Sequence, residues 1–581
     1  MPDTDEPTNT ASPKQKKTPK TSHPHDHARE VVETIVFVVV LVLLLKLFIT
    51  EAFVIPTGSM AETLYGYQKI VKCPKCEHEF PVNSHDEVEG RQGDGRRMNV
   101  YGYCCPNCRH IGHLKDLNPV PNNRTGDRVL VLKPLYHVFQ PRRGDVVVFK
   151  FPEKPQDRYT AQNYIKRCKG FGGETVAIYR GDLYTTTSLS YPADDPQFPR
   201  PADPLDLWRP EYMYPNTFNI NNPKAAELFE RSRDAGFPTG TGGFEIVRKG
   251  EDELLADRRI VWDNDKQPKE LAGRVLPRWY PPSEVDAVAW NADNVDQPKV
   301  FAHKAGVPGQ HWIRYRHLAM PWKTTPANAF DDTPPTDLRL LASQAPTYID
   351  NFLGYNAGRD QDPITGHVST RDISGQDKHW VGDLILECEA ELGKAAELTL
   401  ELSKGVNRFR ASFRSGQVSL SRLGRGSETF GNPTRPCRLT TGKYRLRFAN
   451  VDCRLWVWVD DKLIDFGPDG DYQPVEPGPN DGADPEGWTK ANDVDAPASI
   501  GATGQVTLSG IRLYRDVYYT RRGSDPTRAD IYYVQPGHYL CLGDNSAQSS
   551  DSRNWGTVPE RLLLGKAVFV FYPLGRIGFI K

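Results

Sequence analysis

The chain is expected to fold mainly as β-structure, preceded by one apolar N-terminal helix and interrupted by a cysteine ribbon and a jelly-roll-like β-sandwich. Three observations predict this. Short runs of apolar and β-branched residues recur between turns built on Gly and Asp. The composition, with 48 Gly, 48 Pro and only 5 Met, leans towards strands and loops rather than helical bundles. Aromatic residues, at 10%, supply material for β-rich cores.

Taken in order, residues 1–28 are rich in Pro, Thr, Lys and His and read as a disordered cytoplasmic tail. Residues 29–50 read as a transmembrane helix. Ile35 to Leu45 is uninterrupted apolar sequence, and the stretch from Val31 is long enough to cross a hydrocarbon core. Glu33 and Lys46 lie near its ends, where long side chains reach the headgroups. A cleaved secretory signal would have a shorter polar leader and a small-x-small exit, which Thr50-Glu51-Ala52 does not offer. Lys14, Lys16, Lys17, Lys20 and Arg29 favour an inside N-terminus, with the body on the outer face of the cytoplasmic membrane.

Residues 73–110 form a zinc-ribbon-like insertion. Cys73-Pro74-Lys75-Cys76 and Cys105-Pro106-Asn107-Cys108 are two Cys-x-x-Cys knuckles, a spacing that closes a tetrahedral zinc site. No open position is implied, so this zinc would be structural. Cys104 is spare and competes with Cys105, His78 and His110 are weaker ligands, and disulfides are the alternative outside the cytoplasm.

Strands are expected at Arg128–Leu132, Asp145–Phe149, Tyr164–Ile165 and Glu174–Ile178. Residues 186–375 are Pro- and Asp-rich and read as an irregular insertion. From 376 to 515 alternation tightens, with candidate strands at 384–392, 397–402, 444–448, 455–459, 505–508 and 510–514; this reads as the inserted β-sandwich. Its ends are expected to lie close together. Trp456, Trp458 and Tyr514 fall at strand spacing and read as core rather than a sugar platform.

Other chemistries are disfavoured. A formal net charge of -1 argues against nucleic acid. His303, His311, His317, His367 and His379 lack zinc-ligand spacing, and Gly170-Phe171-Gly172-Gly173 is a turn rather than a phosphate loop.

Four segments carry the candidate chemistry. They are Ile55-Pro56-Thr57-Gly58-Ser59-Met60, Gly126-Asp127-Arg128-Val129-Leu130, Arg142-Arg143-Gly144-Asp145 running on to Tyr164-Ile165-Lys166-Arg167, and Gly543-Asp544-Asn545-Ser546-Ala547-Gln548-Ser549-Ser550-Asp551-Ser552-Arg553. In this order, behind an apolar segment, they resemble type I signal peptidase, a membrane-bound Ser–Lys endopeptidase. The resemblance implies a signal-peptidase-type β catalytic domain from 51–72, 111–185 and 530–581. It implies Ser59 as nucleophile, Lys166 as general base, Thr57 as an oxyanion donor and Ser549 orienting the lysine amine. Asp551 and Arg553 would be a supporting pair. No catalytic cofactor is implied, and the partners would be preproteins carrying signal peptides and the lipid bilayer, with the protein a monomer. The family's fourth segment usually reads Gly-Asp-Asn-Arg-Asp-Asn-Ser; Ser546-Ala547-Gln548 departs from it, which puts the rigidity of that loop in question.

For Lys166 to act as a base it must be neutral, whereas an exposed lysine titrates near ~10.4. It is therefore expected in an apolar pocket, within reach of Ser59 and with no carboxylate beside it. A rival reading is a membrane-tethered module whose sandwich binds glycan or protein on an inactive peptidase frame.

Overall fold

The structure, a computed structural model, describes residues 24–91, 95–151, 162–189, 222–318, 345–371 and 378–581. Most of the expected disordered tail, and parts of 186–375, lie outside the described residues.

The chain divides into residues 1–51 and 52–581. In the first unit an α-helix spans Pro24–Leu44 and gives way to a π-helical turn at Leu45–Ile49. This corrects the expected 29–50 helix. Thr50–Val54, where the first unit gives way to the second, is an edge strand. Among the described residues no helix is long and apolar enough to cross a membrane.

The second unit is mainly β. Its first sheet runs in the order Thr50–Val54, Arg128–Leu132, Leu563–Tyr572, Val146–Lys150, Asn163–Phe171, His538–Leu542, Val558–Pro559. Alternation along Val146–Lys150 divides the packing. Val146 and Val148 join Ile55, Met60, Val129 and Ile165, whereas Val147 and Phe149 join Cys168, Cys541 and Trp555. Both faces of this sheet are therefore covered, and the central strands are buried almost throughout.

A four-stranded sheet, Glu245–Ile246, Asp182–Thr186, Thr175–Tyr179, Asp530–Tyr533, marks where the chain departs and returns. Thr175–Tyr179 and Asp530–Tyr533 are antiparallel neighbours, with Ala177 opposite Ile531. Between them lie two antiparallel sheets of eight and seven strands, whose inner residues share one core. Leu384 and Arg515, near the ends of the expected sandwich, are opposite one another in register.

The structure shifts two boundaries. Residues 186–375 are not simply irregular. Arg259–Asp263, Trp290–Ala292 and Phe301–His303 join one sandwich sheet, and Trp279–Tyr280 and His311–Tyr315 join the other. Strands this short, broken by Pro and Asp, leave too little periodicity to read. The ribbon also reaches beyond 73–110. Gln68–Lys72 and Asn123–Arg124 pair on one side of it, and Gly358–Gln361 pairs with Asn99–Cys104 on the other.

Candidate active site

Ser59 lies in a tight turn directly after the edge strand. Ala61 N–H donates to Gly58 O at 3.0 Å and Leu64 N–H to Met60 O at 2.8 Å. A side chain at residue 58 would not fit, because a Cβ there would sit 2.2 Å from Cε1 of Tyr355. Met60 is fully buried beneath the turn, and Thr57 is exposed on it.

Lys166 lies on the Asn163–Phe171 strand, opposite Val147. Its Nζ stands 2.8 Å from Ser59 Oγ and 2.9 Å from Ile165 O, and 5.4 Å from the Tyr164 ring centroid. Lys166 is 3% exposed and Ser59 8%. Burial lowers the lysine pKa from 10.5 to about 8, with the nearby Asp551 carboxylate opposing the shift. Among the described residues Lys166 makes no ion pair with a carboxylate. Asp551 is close enough to act on it, but its charge is already engaged. Arg553 Nε donates to Asp551 Oδ1 at 2.8 Å and Nη2 to Oδ2 at 2.7 Å, while Gly543 N–H donates to Oδ2 at 2.9 Å.

The expected bond from Ser549 to the lysine amine is not made. Ser549 Oγ is buried without a hydrogen-bond partner, and the amine bonds Ile165 O instead. Residue 543 leaves no room for a side chain between the two loops. A Cβ there would lie 2.1 Å from Ser549 Oγ and 2.5 Å from Ser59 O, so Gly543 alone lets the two loops close on each other.

The departure at Ser546-Ala547-Gln548 does not leave the loop slack. Arg553 Nη1 donates to Ser546 Oγ at 2.6 Å and Nη2 to Ser546 O at 2.7 Å. Thr520 N–H donates to Ser546 Oγ at 2.9 Å, and Arg553 Nη1 also reaches Thr520 O at 2.8 Å. Arg167 adds a two-pronged ion pair with Asp544, at 2.8 and 2.7 Å, wholly buried beside Asp257. Sequence reasoning passed over Arg167, Asp544 and Thr520 as working parts. The first two lie inside the quoted segments; Thr520 carries no local signal.

The four ribbon cysteines converge. Cys73 and Cys108 sulfurs are 3.7 Å apart and those of Cys76 and Cys105 3.6 Å, with all four within 4.8 Å of one another and buried. Sulfurs around a tetrahedral zinc at ~2.3 Å are separated by about 3.8 Å, so the set fits that ion. A disulfide would need about 2.05 Å. Both knuckles close alike. Cys73 N–H donates to His78 O and Glu77 N–H to Cys73 O, as Cys105 does to His110 and Arg109 to Cys105. Cys104 falls outside this set; its thiol faces Arg109 O at 3.8 Å.

The profile of the signal peptidase, peptidase S26 family matches residues 113–198 and 503–572. Those segments hold Lys166, Ser549, Asp551 and Arg553 but not Ser59. The chain is similar to a probable signal peptidase I-2 of Synechocystis, 47% identical over 47 residues, covering 8% of this chain and 22% of that protein. It is similar to signal peptidase I of Leptolyngbya laminosa, 32% identical over 103 residues, covering 17% and 48%. Signal peptidase I of Haemophilus influenzae is 31% identical over 84 residues, covering 14% and 23%. The chain thus spans less than half the length of these relatives. Together the matches show that parts of this mainly β chain are similar to signal peptidases.

Proposed function

We propose that the protein is a Ser–Lys endopeptidase that removes signal peptides from exported preproteins. The observation that carries this reading is the buried contact of 2.8 Å between Lys166 Nζ and Ser59 Oγ. Neutral Lys166 takes the proton of Ser59 as its Oγ attacks the scissile carbonyl. The Ser59 N–H and the Thr57 hydroxyl receive the developing oxyanion, each donor contributing a few kcal/mol (about 3) to the transition state. The lysine then passes its proton to the leaving amine. Water, deprotonated by the same amine, hydrolyses the acyl-enzyme. No catalytic cofactor is needed.

The exposed apolar residues of Val31–Leu44 would hold the enzyme to the lipid bilayer, as a monomer, with the peptidase body on the outer face of the cytoplasmic membrane. Anchoring raises the local concentration of membrane-held substrates. The Cys73, Cys76, Cys105, Cys108 set would hold a structural zinc whose role is to fix the ribbon beside the nucleophile turn. A binding role for the sandwich on an idle frame is less favoured, since an idle frame gives no reason to bury a lysine against a serine. The test compares cleavage of a preprotein by wild type, Ser59→Ala and Lys166→Ala in detergent. Equal rates in all three would dispose of the catalytic assignment.

A further inference from the structure

Asn356 lies in the long insertion, 189 residues from the Gly543-Asp544-Asn545 loop. In the fold the two meet. Asn356 Nδ2 donates to Asn545 Oδ1 and Asn545 Nδ2 donates to Asn356 Oδ1, both at 2.7 Å. Each residue is 2% exposed. The second N–H of the Asn545 amide donates to Gly58 O at 2.9 Å, and Asn545 N–H donates to Ser59 O at 3.1 Å. The Asn545 side chain therefore holds the carbonyl just before the nucleophile, and its backbone holds the carbonyl of the nucleophile itself.

The reciprocal pair does more than add bonds. An amide can sit in two orientations, and only one presents an N–H to Gly58 O. The other would set oxygen against oxygen. Gly58 O demands that N–H, and Asn356, which offers both a donor and an acceptor, satisfies the rest of the amide in that orientation. Asn356 is itself braced. Arg515, on a sandwich strand, donates to Asn351 O and Phe352 O at 2.7 Å, and Tyr355 O accepts from Asn83 N–H at 3.1 Å.

We propose that Asn356 is a positioning residue for catalysis: the insertion, through the Asn356–Asn545 amide pair, fixes the turn that holds Ser59 against Lys166. This rests on the Ser59–Lys166 reading and deepens it, since it makes the insertion part of the peptidase rather than cargo on it.

The test uses the full chain in detergent. Asn356→Ala is expected to lower kcat at least tenfold, with KM within about twofold of wild type, because misplacement of about 1 Å costs up to about a hundredfold. Asn545→Ala and the double variant complete a cycle. As Asn356 acts through Asn545, the double variant should be no more than about twofold slower than Asn545→Ala. Multiplicative losses would overturn the proposal. Asn356→Asp, equal in size but lacking the donor, should lose rate in the same direction and serves as the arm if the alanine variant does not fold. A second readout needs no substrate. With 13C-labelled lysine, and Lys166→Met to assign the signal, the Lys166 pKa should rise in the Asn356 variant as the turn loosens and water enters. An unmoved pKa would reject the positioning role. Should wild type cleave no faster than Ser59→Ala, the peptidase reading fails, and the lysine titration still decides whether Asn356 holds the turn.

Discussion

Lys166→Met separates the cost of the buried amine from its use. The lysine has its pKa lowered from 10.5 to about 8 by burial. A lowered lysine pKa means that the fold disfavours the charged form. Between pH 10.5 and about 8 the unfolded chain binds a proton that the folded chain does not, so stability falls as pH drops through that window, is lowest below pH 8 and is recovered as pH rises past 10.5. At pH 7 this penalty is about 3 kcal/mol, and at pH 10 it falls below about 1 kcal/mol. Met has a similar length and no charge, so Lys166→Met should stabilise the protein by about 3 kcal/mol at pH 7 and by little at pH 10. The assay is urea unfolding followed by tryptophan fluorescence at both pH values. Cleavage should vanish in the same variant. In wild type, the neutral fraction rises from roughly a tenth at pH 7 to roughly nine-tenths at pH 9, so kcat/KM should climb about tenfold over that range. A stability difference independent of pH, or a rate profile inflecting near 10.5, would refute the reasoning that burial prepares this base.

The remaining predictions concern its surroundings. Gly58→Ala should destabilise by about 1–3 kcal/mol and slow cleavage, since the new Cβ meets the Tyr355 ring at 2.2 Å; chemical unfolding and rate assays read both. Ser549→Ala removes a buried hydroxyl that has no hydrogen-bond partner, so stability should hold or rise by about 1 kcal/mol in the same unfolding assay. Arg553→Gln leaves the fully buried Asp551 without its ion-pair partner and should cost about 3–5 kcal/mol, measured at pH 7. Purified protein should carry one zinc per chain by metal analysis, and Cys76→Ser should lose it together with stability; an undiminished metal content in that variant would remove the cysteine assignment.

The sequence by itself determined the parts whose signal is local. Apolar, β-branched runs between turns marked the strands of the first sheet, and alternation marked those of the sandwich, because side-chain period follows from the pleat. The paired Cys-x-x-Cys knuckles marked the cysteine set, because thiolate spacing is written in the chain. The order of the four segments singled out Ser59 and Lys166, which the fold brings within 2.8 Å. Only the tertiary structure decided what depends on distant residues. Residues 259–315 became sandwich strands because neighbouring sheets completed them, despite short and broken periodicity. Thr50–Val54 became a strand because a sheet edge took it, against the apolar run that preceded it. The lysine amine found Ile165 O rather than Ser549, and Asn545 found Asn356, through packing between segments far apart in sequence. Such contacts form only when several elements have met, so no window of the chain contains them.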